Sequence, residues 1–144
     1  MTREGIIELE KGGRAMSFDF YASVDTNIND IKKFNDKLVE LISNYIDDDE
    51  LIFDIKLILN ELVINSALHG NMMDESKSIE VSVHIADLGI SIIVKDEGTG
   101  IKVPVKCTCS DQSLMGGRGL GIVGALVDEL ETCYNRVACV KYFR

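Results

Sequence analysis

The feature that most limits the fold is a matched pair of alternating segments near the middle of the chain. From Ile79 to Ala86, Ile79, Val81, Val83 and Ile85 fall on one side, and Glu80, Ser82 and His84 on the other. Ile90 to Lys95 continues as a second strand, and Asp87-Leu88-Gly89 between them is turn chemistry. Two strands joined by so short a connection can only be antiparallel. Met16 to Val24 has the same period of two, with Met16, Phe18, Phe20 and Ala22 set against Ser17, Asp19, Tyr21 and Ser23. Glu131 to Asn135 and Arg136 to Phe143 read as a closing hairpin that turns near Asn135-Arg136.

Helical periodicity fills the remainder. Behind the cap residues Asp25-Thr26-Asn27, an apolar stripe runs through Ile28, Ile31, Phe34, Leu38, Leu41, Ile42 and Tyr45. The acidic run Asp47 to Glu50 reads as a linker and the first turn of a second helix, where carboxylates suit the helix dipole. That helix should run from about Asp49 to about Leu68, with Gly70 placed to end it. A shorter third helix carries Leu120, Val123, Leu126, Val127 and Leu130. The order β-α-α-β-β-α-β-β does not suit a doubly wound sheet, which needs strict alternation. It predicts an α+β fold of two layers: a mixed, mainly antiparallel sheet of about five strands with three helices on one face. The domain is expected over residues 16–144. Residues 1–15 form an extension, either a short strand through Ile6, Ile7 and Leu9 or a loose tail.

Composition narrows the classes of function. At 144 residues the chain is expected to form one domain, and no apolar run approaches a membrane span, so the expected compartment is the cytoplasm. A net charge of −9 repels phosphate backbones and argues against direct nucleic-acid binding. Cys107, Cys109, Cys133 and Cys139 match no usual zinc spacing and read as free thiols, the first two in a loop.

Chemistry concentrates in three places. Within Leu57 to Asn71, Glu61, Asn65 and His69 stand four residues apart and so climb one face of a helix beside apolar neighbours. An Asn oxygen can join phosphate oxygens and water around Mg²⁺, and a carboxylate one turn away can accept a proton during phosphoryl transfer. After the central hairpin comes D-E-G-T-G-I, from Asp96. Its carboxylate can accept a hydrogen bond from an exocyclic amine, while Gly98 and Gly100 let backbone approach a flat base. A loop from Lys102 to Met115 then leads to glycines 116, 117, 119 and 121, just before the third helix, where backbone N–H groups can face phosphates. Each element alone is common; their order and spacing are not.

The ordered set E-L-V-I-N-S-A-L-H-G, D-E-G-T-G-I and G-R-G-L-G-I resembles the N, G1 and G2 boxes of the GHKL (Bergerat-fold) ATPases. The resemblance covers about residues 16 to 143. The compact length and the stretch G-R-G-L-G-I-V-G-A-L-V-D-E-L look most like the bacterial anti-sigma factor serine/threonine protein kinases. The resemblance implies ATP and Mg²⁺ as cofactors, and a homodimer. It also implies two partners: a sigma factor that is sequestered, and a STAS-domain anti-anti-sigma factor phosphorylated on serine. Residue by residue it implies Glu61 as the base, Asn65 as the Mg²⁺ ligand and Asp96 as the adenine reader. Gly98 and Gly100 would line the base pocket, Thr99 would touch the nucleotide, Gly119 and Gly121 would meet the phosphates, and Gly117, Arg118 and Leu120 would belong to the same nucleotide-binding set. His69 matches a family position but reads more simply as a capping or packing residue. Arg118 reads equally as an exposed loop arginine.

Two other functions compete: an ATP-responsive partner-switch module without turnover, and a stand-alone histidine-kinase-like ATPase domain. The retained Glu61 argues against the first, and the short segment between the glycine boxes argues for it. Against the second, neither His69 nor His84 is placed as a phosphoacceptor on a helical hairpin.

Overall fold

The computed structural model describes residues 17–98 and 120–144, together with the backbone of 3–7 and 101–108. Among the described residues, seven strands form a single sheet: β1 (Arg3–Ile7), β2 (Phe18–Asp25), β3 (Ser78–Ala86), β4 (Gly89–Lys95), β5 (Ile101–Thr108), β6 (Glu129–Tyr134) and β7 (Arg136–Tyr142). Their spatial order is β1-β2-β3-β4-β7-β6-β5, and every pairing is antiparallel. The two-layer α+β architecture expected from the sequence is the one that forms.

The sheet is wider than the five strands expected. On one side β1 pairs with β2, so part of the N-terminal extension is strand. On the other, β5 pairs with β6 and takes residues that read as loop, Cys107 among them. Pro104 hid this strand, because proline cannot donate to a ladder and argues against a central position. The structure accommodates it at the sheet edge, where the β5–β6 register shifts between Ile101 and Val105. The closing hairpin turns at Tyr134-Asn135, one residue earlier than expected, with Tyr134 in the left-handed region at φ 55.

Among the described residues, three α-helices complete the second layer: α1 (Ile28–Ser43), α2 (Asp49–Asn65) and α3 (Leu120–Leu126). The Asn27 side chain accepts from the N–H groups of Asn29 and Asp30 at 3.0 and 3.2 Å and starts α1. Asp48 does the same for α2 through the Leu51 N–H at 3.1 Å. The alternate residues Phe18, Phe20, Ala22 and Val24 of β2, Ile79 to Ile85 of β3, and Ile90, Ile92 and Val94 of β4 are buried. They pack against Ile31, Phe34, Leu38 and Ile42 of α1 and Ile55, Ile58, Leu59 and Leu62 of α2. Each large side chain so buried contributes about 1.5–3 kcal/mol. α3 packs against α2 through a short buried edge that includes Leu120 and Val123. Among the described residues, no helix is long and apolar enough to cross a membrane.

Candidate functional site

The last turn of the second helical segment departs from an α-helix. After Asn65 the chain widens into a π-turn, Ser66–Gly70, closed by the Asn71 N–H donating to the Ser66 carbonyl at 2.8 Å. Such turns cost regularity and gather at functional sites. Glu61 and Asn65, both within α2, keep their shared edge and are half-buried. His69 lies in the wider turn, out of the column that a continuous α-helix would give it, and is exposed.

Gly70 does not stop the helix by adopting a left-handed conformation. That conformation falls to Met72 and Met73, at φ 53 and 57, where residues other than glycine are strained. Gly70 is required for a different reason. A Cβ there would sit 2.6 Å from Asp96 Oδ1 and closer still to the remainder of that carboxyl group. A Cβ on Gly98 would in turn meet the Gly70 backbone, 2.6 Å from its carbonyl carbon and closer to its oxygen. The helix end and the loop after β4 therefore interlock through two glycines.

The Asp96 loop is also held from two sides by asparagines. The Asn71 side chain is fully buried. Its amide N–H₂ donates to Thr26 Oγ1 at 2.9 Å and to the Ser78 carbonyl at 3.0 Å. Its oxygen accepts from the Glu97 N–H at 2.7 Å. Opposite, the Asn135 side chain donates to the Asp96 carbonyl at 2.5 Å, and the Asp96 N–H donates to the Asn135 carbonyl at 3.0 Å. The Asp96 carboxylate accepts from the Gly98 N–H at 2.8 Å and is nearly buried. Its position is thereby fixed before any ligand arrives.

The structure thus brings together Asp96, Gly98 and the end of the helical segment that carries Glu61 and Asn65. Leu120 is buried at the first residue of α3. Gly121, next to it, is exposed, and a Cβ there would meet nothing within 4 Å. Thr99, Gly100, Gly117, Arg118 and Gly119 lie outside the described residues, as do Gly116 and Cys109. Burial pushes the Cys139 thiol up to about 12, which makes it an inert core residue. The donor set fits a nucleotide with a hard cation: carboxylate and amide oxygens on α2, a fixed buried carboxylate, and open space beside Gly121. Asn71 and Asn135 escaped notice in the sequence because polar residues after a helix or in a hairpin turn are common there for local reasons.

The chain is similar to known proteins over most of its length. Residues 25–140 match the histidine kinase-like ATPase domain family. The chain is 32% identical over 87 residues to the anti-sigma F factor of Clostridium perfringens, covering 57% of this chain and 62% of that protein. It is 28% identical over 105 residues to the serine-protein kinase RsbW of Listeria innocua, covering 65% and 67% respectively. The chain thus spans somewhat less than two thirds of the Clostridium relative's length. It belongs to the GHKL family of histidine kinase-like ATPase domains, and these relatives are of the anti-sigma factor kinase branch that its motifs resemble.

Proposed function

We propose that the protein is an ATP-binding anti-sigma factor that sequesters a sigma factor and phosphorylates a serine of a STAS-type anti-anti-sigma partner. The observation that carries the reading is the Gly70–Gly98 junction, which joins the helix of Glu61 and Asn65 to the Asp96 loop. Relatives named anti-sigma F factor and serine-protein kinase support the activity.

In this reading the Asp96 carboxylate, held by the Gly98 N–H, accepts a hydrogen bond from the exocyclic amine of adenine. Gly98, with Thr99 and Gly100, gives the base a flat backbone wall. Gly117, Arg118, Gly119, Leu120 and Gly121 meet the phosphates. Asn65 offers its side-chain oxygen to Mg²⁺, which when bound neutralises phosphate charge. Glu61, one turn earlier, accepts the proton of the attacking serine hydroxyl. A homodimer working in the cytoplasm is part of the same proposal.

The test is direct: purified protein, Mg-ATP and the cognate STAS-domain protein, assayed for phosphoserine. Wild type should transfer phosphate. Glu61→Gln should retain ATP binding and lose at least a hundredfold in rate, within the range of general-base effects. Phosphoserine formation unchanged by Glu61→Gln would sink the kinase assignment.

A further inference from the structure

The buried stripe of α1 contains one polar residue. Ile31, Phe34, Leu38 and Ile42 are apolar, and Asn35 lies among them at 2% exposure. Its Nδ2 donates across to Asn60 Oδ1 of α2 at 3.0 Å. Its own oxygen is buried and, among the described residues, has no hydrogen-bond partner. Turning both amides over would only exchange the roles, leaving the Asn35 nitrogen unpaired instead. An apolar residue would complete the stripe without the desolvation that an unpaired polar atom suffers. The bond is thus a poor source of stability, and what it supplies is direction.

Direction matters at this place on α2. Asn60 is half-buried and immediately precedes Glu61, with Asn65 five residues further along the same helix. Ile55, Ile58, Leu59, Leu62 and Val63 hold α2 to the core, but burial is non-directional and tolerates a small rotation of a helix about its own axis. Lys141 Nζ lies 3.7 Å from Asp54 Oδ2, an attraction without hydrogen-bond geometry. A glutamate carboxylate stands about 5–6 Å from the helix axis, so a roll of about 15° carries it about 1.5 Å. Misplacing a reacting group by about 1 Å can cost about a hundredfold in rate. A hydrogen bond from the neighbouring helix, one residue from Glu61, limits that roll.

We infer that Asn35 is a positioning residue: through Asn60 it fixes the roll of α2 and so aims the Glu61 carboxylate and the Asn65 amide. The roles of those two residues rest on the kinase reading above; the hold on α2 does not.

The test compares phosphoserine formation, urea unfolding and the N–H residual dipolar couplings of α2 measured against those of the sheet, which report helix roll without any catalysis. Asn35→Leu keeps the branched shape and removes the unpaired atom. Its unfolding midpoint should equal or exceed that of wild type, while kcat falls at least tenfold and the couplings of α2 shift. Asn35→Ala, which cannot overpack, should show the same loss of kcat at a lower midpoint. Adding Asn60→Leu to Asn35→Leu should lower kcat no further, since the two act as a unit. Ile42→Val, a core truncation on the same helix, should lower the midpoint and leave kcat and the couplings unchanged. Unchanged kcat or unchanged α2 couplings in folded Asn35→Leu and Asn35→Ala would overturn the inference, as would a further loss on adding Asn60→Leu. Wild type that forms no phosphoserine would refute the kinase reading, and the couplings alone would then decide whether Asn35 sets α2.

Discussion

The backbone of Gly98 lies on that of Gly70, so closely that a methyl group on Gly98 would come within 2.8 Å of the Gly70 Cα and nearer to its carbonyl. Neither side of this contact is a flexible side chain that could swing away. Gly98→Ala should therefore destabilise the fold by about 1–3 kcal/mol, the range for overpacking. It should also weaken ATP binding at least tenfold, because the Asp96 loop has to shift. Gly70→Ala, which collides with the Asp96 carboxyl, should do the same. Thermal unfolding and nucleotide titration check both.

Gly121→Ala provides the contrast. The substitution enters open space inside a helix, where alanine outranks glycine by about 0.5–1 kcal/mol. Stability should rise slightly. If nucleotide phosphates approach the backbone there, ATP affinity should fall in the same variant, and this opposite movement of two readouts is the signature to look for.

The two asparagines should differ in kind. Asn71→Ala removes partners from Glu97, Thr26 and Ser78 in a fully buried place, and should cost about 3 kcal/mol in urea unfolding. Asn135→Ala removes one donor at a half-buried turn and should cost only about 1 kcal/mol. Its larger effect should be on nucleotide affinity, through a loosened Asp96.

Asp128 supplies a pH dependence. The Tyr142 N–H donates to its carboxylate at 2.7 Å and the Arg144 guanidinium at 2.7 Å. The backbone bond from Tyr142 is the main cause holding the carboxyl below its ordinary value; burial opposes it and Arg144 assists. A carboxyl lowered in the folded state adds stability that is fully present above the unfolded value of about 3.9 and is lost as pH falls through the folded one. Asp128→Asn should therefore lose about 1 kcal/mol at pH 7, a loss that fades as pH falls below the unfolded carboxyl value and through the lowered folded one. Unfolding followed by circular dichroism across that range measures the difference.

Cys139 should stay unlabelled by a thiol reagent at pH 8 while the protein is folded, because burial holds it protonated. Labelling should appear only with global unfolding, read by mass spectrometry of the peptide that contains it.

Much of this molecule was legible from residue order. The strand alternation around Phe18–Val24 and Ile79–Lys95 and the stripe of α1 follow from burial of one face, and periodicity reports burial directly. β5 was not legible, because Pro104 in a strand needs an edge and a register shift, and both depend on where neighbours lie. The motif glycines announced a site, but their reasons differ. Gly98 and Gly70 serve a contact between segments 28 residues apart in sequence, which no local pattern encodes. The same holds for Asn71 and Asn135, whose partners are remote. The π-turn was invisible for a related reason: a four-residue spacing looks identical whether or not the helix widens beneath it.

The Asn135 clamp on Asp96 has a consequence for the order of events during synthesis. Asp96 leaves the ribosome well before residue 135, and β4 can pair with β3 as soon as both are made. Its loop acquires its second support only when the turn before β7 has emerged and folded back. Nascent chains that end short of this turn should fail to retain ATP even with the earlier motifs complete, so nucleotide capture would mark a finished domain.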